Sequence, residues 1–193
     1  MQTIIETILA DSLAVKERFI RAHIDAIIQG AHLLADRIAA GNKVMLFGNG
    51  GSAADAQHMA AEFVNRFEIE RRPLPAIALT TDTSVITSIG NDYHFDDIFA
   101  KQVRALGQAG DVAIGISTSG NSANVIRAVE TANTMGIHTI GFSGPGGRLP
   151  EAAGLALCVS SETTARIQEA HILAGHILCL LTDRLLFPQQ ASR

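Results

Sequence analysis

A histidine and a glutamate four residues apart, His58 and Glu62, follow the glycine-rich turn Gly48-Asn49-Gly50-Gly51-Ser52. On a helix, positions four apart share one face and lie about 6 Å apart along the axis. An imidazole and a carboxylate so placed can move protons near neutral pH or hold a metal ion. A glycine turn between a strand and a helix presents N–H groups at the positive end of the helix dipole, which suits an anion. A second segment, Ser117-Thr118-Ser119-Gly120-Asn121-Ser122, carries four hydroxyls. With the backbone around Gly120 it can give several hydrogen bonds to one phosphate. Near the C-terminus, Gln168, Glu169, His171 and His176 interrupt an otherwise apolar helical run, and polar groups in such a helix need partners. Gln168 and His176 are eight residues apart, about 12 Å along an ideal helix. One ion reaches both only if Gln168 extends or if helices meet at a subunit boundary.

Other motifs compete with these readings. The first turn lacks the spacing and the Lys-Ser/Thr of a P-loop. Gly48-Asn49-Gly50-Gly51-Ser52-Ala53 fits the G-x-G-x-x-A of dinucleotide folds, but the acidic residue expected about twenty residues further on is poorly matched. Asp82 stands thirty-two residues after Gly50, and Glu68, better spaced, precedes the second strand. Asn91-Asp92 reads as a polar loop that either meets sugar hydroxyls or forms an Asx turn. Ser122 is expected in the first turn of the following helix, with Asn121 as the competing N-cap. Arg66 and Arg166 serve either an anionic sugar or ordinary ion pairs. His23, His32, His94 and His138 stand alone and read as surface or capping residues.

The elements that position these groups follow from apolar periodicity. Residues 2–40 recur at three and four, a helical segment with Gly30 as a candidate break and Gly41-Asn42 as its stop. Strands are expected at Lys43–Phe47, Pro75–Leu79, Asp111–Ile116, Ile137–Phe142 and Leu155–Val159. Helices are expected at Ser52–Phe67, Phe95–Leu106, Ala123–Met135 and Glu162–Leu186. Strands alternating with helices, each strand a short continuous apolar run, predict an α/β parallel sheet covered on both faces. Both polar loops then fall at carboxyl ends of strands, where such sheets bind ligands. The 193 residues predict one domain, an N-terminal helical segment (1–40) and an α/β core with its closing helix (41–193). Only 18% of residues are charged against 47% hydrophobic, more apolar surface than one core needs, which points to an oligomer interface. A net charge of −4 without a Lys/Arg cluster argues against nucleic-acid binding. Cys158 and Cys179 read as small buried hydrophobes in a reducing compartment. With no signal-like N-terminus and no spanning apolar run, a cytoplasmic protein free of the membrane is expected.

The order GNGGSAADAQHMAAE, GND, ISTSGNSANVI and ARIQEAHILAGH resembles the sugar isomerase (SIS) domain family, in its phosphoheptose isomerase branch, over nearly the whole chain. The STSGNS segment is shared across the wider family and implies only a bound phosphosugar; His58, Glu62, Gln168 and His176 together are more specific. The resemblance implies a flavodoxin-like, three-layer fold with a five-stranded parallel sheet, a homotetramer, and active sites at subunit interfaces. It implies interconversion of D-sedoheptulose 7-phosphate and D-glycero-D-manno-heptose 7-phosphate, feeding heptose and lipopolysaccharide core synthesis. Glu62 would be the general base and His176 its acid/base partner. His58, Glu62, Gln168 and His176 would surround a zinc ion, one per subunit. Ser117, Thr118, Ser119 and Ser122 would hold the phosphate, and Asn49, Gly50, Gly51, Ser52, Asn91, Asp92, Glu62 and Gln168 would line the sugar site. The branch often carries Asp where this chain has Ala165, which puts one polar contact near the sugar in question.

The chain also resembles the DnaA initiator-associating protein, at Arg66-Phe67-Glu68, at 74–79, at 165–169 and at 186–188. That relative keeps the phosphosugar fold but serves replication through protein contacts, so a non-catalytic adaptor is the alternative. It lacks the glutamate and histidine found here at Glu62 and His176, and function resides in the site rather than the fold.

Overall fold

Continuous apolar runs build a sheet buried on both faces. The computed structural model describes residues 1–190. Its five strands are β1 (Val44–Gly48), β2 (Ala76–Ala78), β3 (Val112–Ser117), β4 (His138–Ser143) and β5 (Leu155–Cys158). They pair in parallel in the order β2-β1-β3-β4-β5. This is the flavodoxin-like order, in which the chain reverses its winding direction between β1 and β3. Each expected strand is present within a residue or two.

Side chains alternate across the sheet. Val44 and Leu46 pack with α1 (Gln2–Ala22), α2 (Ile24–Ala39), α3 (Gly51–Val64) and α8 (Thr164–Leu186). Met45 and Phe47 pack with α4 (Thr83–Asp92), α5 (Ile98–Leu106), α6 (Ala123–Thr134) and α7 (Leu149–Ala152). Three layers result. Phe47, Phe63, Phe99 and Phe142 are fully buried, each contributing about 1.5–3 kcal/mol by the usual area relation. No helix among the described residues is long and apolar enough to cross a membrane.

Three expectations are corrected. The N-terminal helical segment breaks at His23, not at Gly30. The His23 ring explains the position: Nδ1 donates to the Phe19 carbonyl (2.9 Å) and Nε2 accepts from the Cys158 amide (3.3 Å). Gly30 lies inside α2, where a Cβ would stand 3.2 Å from Leu155 and Leu178, so it lets α2 close on α8. Asn91 and Asp92 do not lie in a loop; they end α4. That helix was hidden by its four Ser/Thr residues and is started by Asp82, whose carboxylate accepts from the Val85 amide (3.0 Å). Asp82 is thus a cap, which removes the dinucleotide reading of that position. Finally, Ser122 is itself the N-cap of α6, one place before the first turn, and Asn121 precedes it.

Candidate active site

The two polar loops leave neighbouring strands. β1 and β3 are paired with Gly48 opposite Ile116, so the loops that follow them rise side by side at the winding switch. The first opens α3 with Gly50 as N-cap at φ +55°, a left-handed backbone that glycine adopts without strain. Gly51 serves a second purpose: a Cβ there would overlap the amide nitrogen of Gln168. Ser52 is buried in the first turn of α3.

The second loop is a hydroxyl cluster at the mouth of α6. Ser117 and Ser122 oxygens stand 2.8 Å apart, and Ser119 Oγ accepts from the Asn121 amide at 3.1 Å. Thr118, Ser119, Asn121, Gly146, Gly147 and Thr164 line a polar pocket of about 380 Å³ beside them, with one carboxylate, Glu162, also on its wall. Hydroxyls and a helix N-terminus facing one pocket are the makings of an anion site. The loops are tied to each other by Asn49 and the buried Asn124. Each side-chain amide donates to the other's oxygen, at 2.9 and 2.8 Å. Asn124 falls within the ISTSGNSANVI segment but nothing in its type or spacing marks it for this role, and Thr164 belongs to no motif.

α3 and α8 carry the remaining candidates. His58 Nε2 lies 2.9 Å from His176 Nε2 and 3.4 Å from Glu62 Oε1. The His176 ring also packs 5.4 Å from the Phe67 ring. The Glu62 side chain is 20% exposed and that of His58 49%, so the cluster opens on one side. One turn before His58, burial pushes the Asp55 carboxyl up, with His58 opposing the shift. Gln168, two turns before His176 on α8, lies against Gly51 of the first loop.

The other candidates are placed more loosely. Asn91 and Asp92 are exposed and bonded to each other (2.8 Å). Arg66 forms an exposed pair with Glu70 at 3.6 Å. Arg166 pairs with Glu169, which also accepts from Ser12 Oγ (2.6 Å), and so ties α8 to α1. Ala165 sits in the first turn of α8, one turn before Gln168. His171 is buried; its Nε2 meets the Ser143 carbonyl at 3.0 Å. Burial presses its pKa down to about 4, the Ser143 bond opposing. The ring is therefore neutral at pH 7.

Two imidazoles, a carboxylate and an amide oxygen are zinc ligands or compatible with one in kind. Their spacing is that of a hydrogen-bonded cluster: two nitrogens at ~2.05 Å from a tetrahedral ion lie about 3.3 Å apart, against 2.9 Å here. Among the described residues no group of three or more His, Cys, Asp or Glu is disposed to hold a metal. The donors fit zinc in type; to fit it in distance the two rings must part slightly and the Gln168 amide, which lies against Gly51, must turn toward them.

A SIS-domain profile matches residues 9–144. The chain is 57% identical, over 175 residues, to the phosphoheptose isomerase of Nitratidesulfovibrio vulgaris Hildenborough, covering 89% of this chain and 83% of the relative. It is 53% identical over 183 residues to that of Aquifex aeolicus, covering 94% and 96%. Among solved structures, a phosphoheptose isomerase from Neisseria gonorrhoeae superposes with a TM-score of 0.89 at 46% identity, covering 94% and 98%. Another from Francisella tularensis does so at 0.91 and 41%, covering 95% and 98%. These relatives carry the isomerase name, and none of them that of an initiator-binding adaptor.

Proposed function

The chain belongs to the sugar isomerase (SIS) domain family and, within it, to the phosphoheptose isomerases, and on that premise we infer that Glu62 and His176 carry its chemistry. It is a heptose phosphate isomerase, and its substrate pair is D-sedoheptulose 7-phosphate and D-glycero-D-manno-heptose 7-phosphate, made for heptose and lipopolysaccharide core synthesis. The observation that carries the reading is the meeting of His58, Glu62 and His176 beside Gln168 and the two loops.

Aldose–ketose isomerisation moves one proton between C1 and C2 and another between their oxygens. Glu62 takes the carbon-bound proton and an enediol forms. His176 moves the oxygen-bound proton, a role suited to imidazole near neutral pH. His58 stands between them, its Nε2 in hydrogen-bond contact with His176 and 3.4 Å from the Glu62 carboxylate. Ser117, Thr118, Ser119 and Ser122 hold the phosphate at C7 against the α6 N-terminus. That anchorage spends binding energy on placing C1 and C2 at Glu62. Asn49, Gly50, Gly51, Ser52 and Gln168 line the sugar. The Asn49 amide is already engaged with Asn124, so its backbone faces the ligand more readily than its side chain. Asn91 and Asp92, at the end of α4, offer hydroxyl contacts from the other wall. We assign the zinc ligands to His58, Glu62, Gln168 and His176. Zinc, when bound, polarises the carbonyl and stabilises the enediolate. A carboxylate on the metal is a weaker base, so ligation and proton abstraction compete at Glu62.

We further propose a homotetramer with sites at subunit interfaces. Ile4, Ile5, Ile8, Leu9 and Leu13 leave α1 with a bare apolar face. Beside it an open groove of about 690 Å³, lined by Leu13, Ile20, Ile24, Ile172 and Leu173, ends at His176. A second copy of this chain is the occupant that such a face, continuous with the site, supports. Both cysteines are free thiols, which together with a sugar phosphate substrate supports a cytoplasmic enzyme.

The test is turnover. Purified, zinc-replete protein is incubated with sedoheptulose 7-phosphate and the aldose product followed by NMR, with Glu62→Gln and His176→Ala alongside. Wild-type turnover lost in both variants is the expected result. No turnover by the wild type overturns the assignment and turns attention to binding of a replication initiator.

A further inference from the structure

A helix leaves its last carbonyls without intrahelical partners. α3 ends at Val64 with no basic residue in its last turn. The capping group arrives from further along the chain. Arg71, in the connection to β2, donates from Nη2 to the Glu62 carbonyl (2.8 Å). Its Nη1 reaches the carbonyls of Phe63 (2.8 Å), Asn65 (3.0 Å) and Arg72 (3.2 Å). Its Nε donates to Asp183 Oδ1 on α8 at 2.9 Å. The two side chains are 1% and 3% exposed, the most buried ion pair among the described residues.

The location gives this cluster its meaning. α3 and α8 run alongside one another in the same sense, and besides the His58–His176 contact three others mark their register. Gly51 meets Gln168 at the start. In the middle Gly175 faces Met59, whose sulfur would stand 2.8 Å from an added Cβ. At the far end Arg71 joins the Glu62–Phe63 carbonyls to Asp183. The reactive cluster brackets the second contact and runs into the third: His58 and His176 adjoin Met59 and Gly175 in sequence, and Glu62 carries one of the carbonyls that Arg71 caps. Asp183 follows His176 by seven residues, two turns on the same face of α8. We infer that Arg71 is a positioning residue that holds the Glu62 end of α3 in register with the His176 face of α8. This rests on the reading of Glu62 and His176 as base and partner. Five guanidinium donors in a planar fork grip two elements at once, which the three donors of a lysine ammonium on a flexible stem do not. If the fork goes, α3 keeps its apolar contacts but its last turn is free to rotate, and Glu62 rotates with it.

The test compares Arg71→Lys and Asp183→Asn in the full chain, with Asp111→Asn as a control. Asp111 pairs with Lys43 at 2.6 Å at the opposite, N-terminal end of the strands, so its loss costs stability without touching the site. kcat and KM for sedoheptulose 7-phosphate are measured with thermal unfolding and with ring ¹⁵N NMR of His58 and His176. The expected result for Arg71→Lys is a kcat at least tenfold lower, a KM within threefold, and displaced His58 and His176 signals. Asp183→Asn, which leaves the carbonyl caps in place, shows a smaller loss of the same kind, and Asp111→Asn lowers the melting temperature with kcat unchanged. A folded Arg71→Lys enzyme with kcat within threefold of wild type and unmoved ring signals overturns the inference. Should Arg71→Lys not fold, Asp183→Asn decides by the same readings: lowered kcat with moved signals upholds it, neither overturns it. Should the wild type not turn over this sugar, the functional reading fails, and the ring signals alone decide whether Arg71 sets the register.

Discussion

Replacing Asn124 by alanine tests whether the two loops act as one ligand cradle. The reciprocal amide pair with Asn49 supplies two hydrogen bonds, at 2.9 and 2.8 Å, between residues 75 positions apart. Each is worth about 0.5–1.5 kcal/mol net, so truncation removes about 1–3 kcal/mol. Asn124 is buried but Asn49 is only half-buried, so the released Asn49 amide regains water and adds little further penalty. A loss of about 2 kcal/mol in a chain of this size lowers the melting temperature by roughly 4–8 °C. The comparison is made at one protein concentration, since association of copies shifts apparent stability. The same change loosens the first loop relative to the 117–122 loop, proposed to hold the phosphate, so the expected effect on catalysis falls on substrate placement. The expected kinetic outcome is a KM for sedoheptulose 7-phosphate raised about tenfold, equivalent to 1.4 kcal/mol, with kcat changed less. Asn124→Asp discriminates further, because it keeps an acceptor but sets it against the Asn49 oxygen. That variant is less stable than Asn124→Ala at pH 7 and recovers as the carboxyl protonates in acid. A melting temperature within 1 °C of wild type, together with an unchanged KM, refutes the idea that this amide pair registers the two loops.

Three further outcomes follow from the same geometry. His171 has its folded pKa pressed to about 4 by burial, against about 6.5 unfolded. Between these values the unfolded chain binds the extra proton, so stability is full above pH 6.5 and declines as pH falls toward 4, by up to about 3 kcal/mol. Denaturant titrations across that range show the slope, and His171→Gln flattens it. Dialysis against a zinc chelator lowers turnover and zinc restores it; mass spectrometry of the native protein finds one zinc per chain, and His58→Ala binds none. Ile8→Glu with Leu9→Glu on the bare face of α1 yields smaller species by sedimentation, where the wild type sediments as a tetramer.

Much of this site was legible because two kinds of residue announce themselves. Glycine-rich and hydroxyl-rich turns between apolar runs have a local cause, the strand-to-helix reversal, and both were found where strands end. His58 and Glu62 share a helix face by spacing alone. Strand positions were legible for a similar reason, since a strand covered on both faces needs an unbroken apolar run. The misplacements share a cause too. α4 was passed over because Thr83, Ser84, Thr87 and Ser88 disguise a helix whose hydroxyls bond back to its own carbonyls, as Thr87 does to Thr83 at 2.6 Å. Gly30 looks like a break because local propensity weighs against glycine in a helix, whereas its reason lies across the interface, at Leu155 and Leu178.

What the sequence does not show is which residues act on which others. Asn124 and Arg71 have no sign in it of their roles, and His171 shows there only as a polar group in need of a partner; each reaches one distant in the chain: Asn49, Asp183 and Ser143. No periodicity or motif encodes such a pair, because neither member has a local reason to be what it is. An arginine in a surface connection looks like a solvated charge until the fold returns it to the end of α3. The candidate residues His58 and Glu62 are therefore readable from type and spacing, and their meeting with His176 is readable only from the tertiary contacts. It follows that substitutions at such positions, conservative by type and unmarked by any local pattern, are the ones that separate a correctly folded chain from a correctly aligned site.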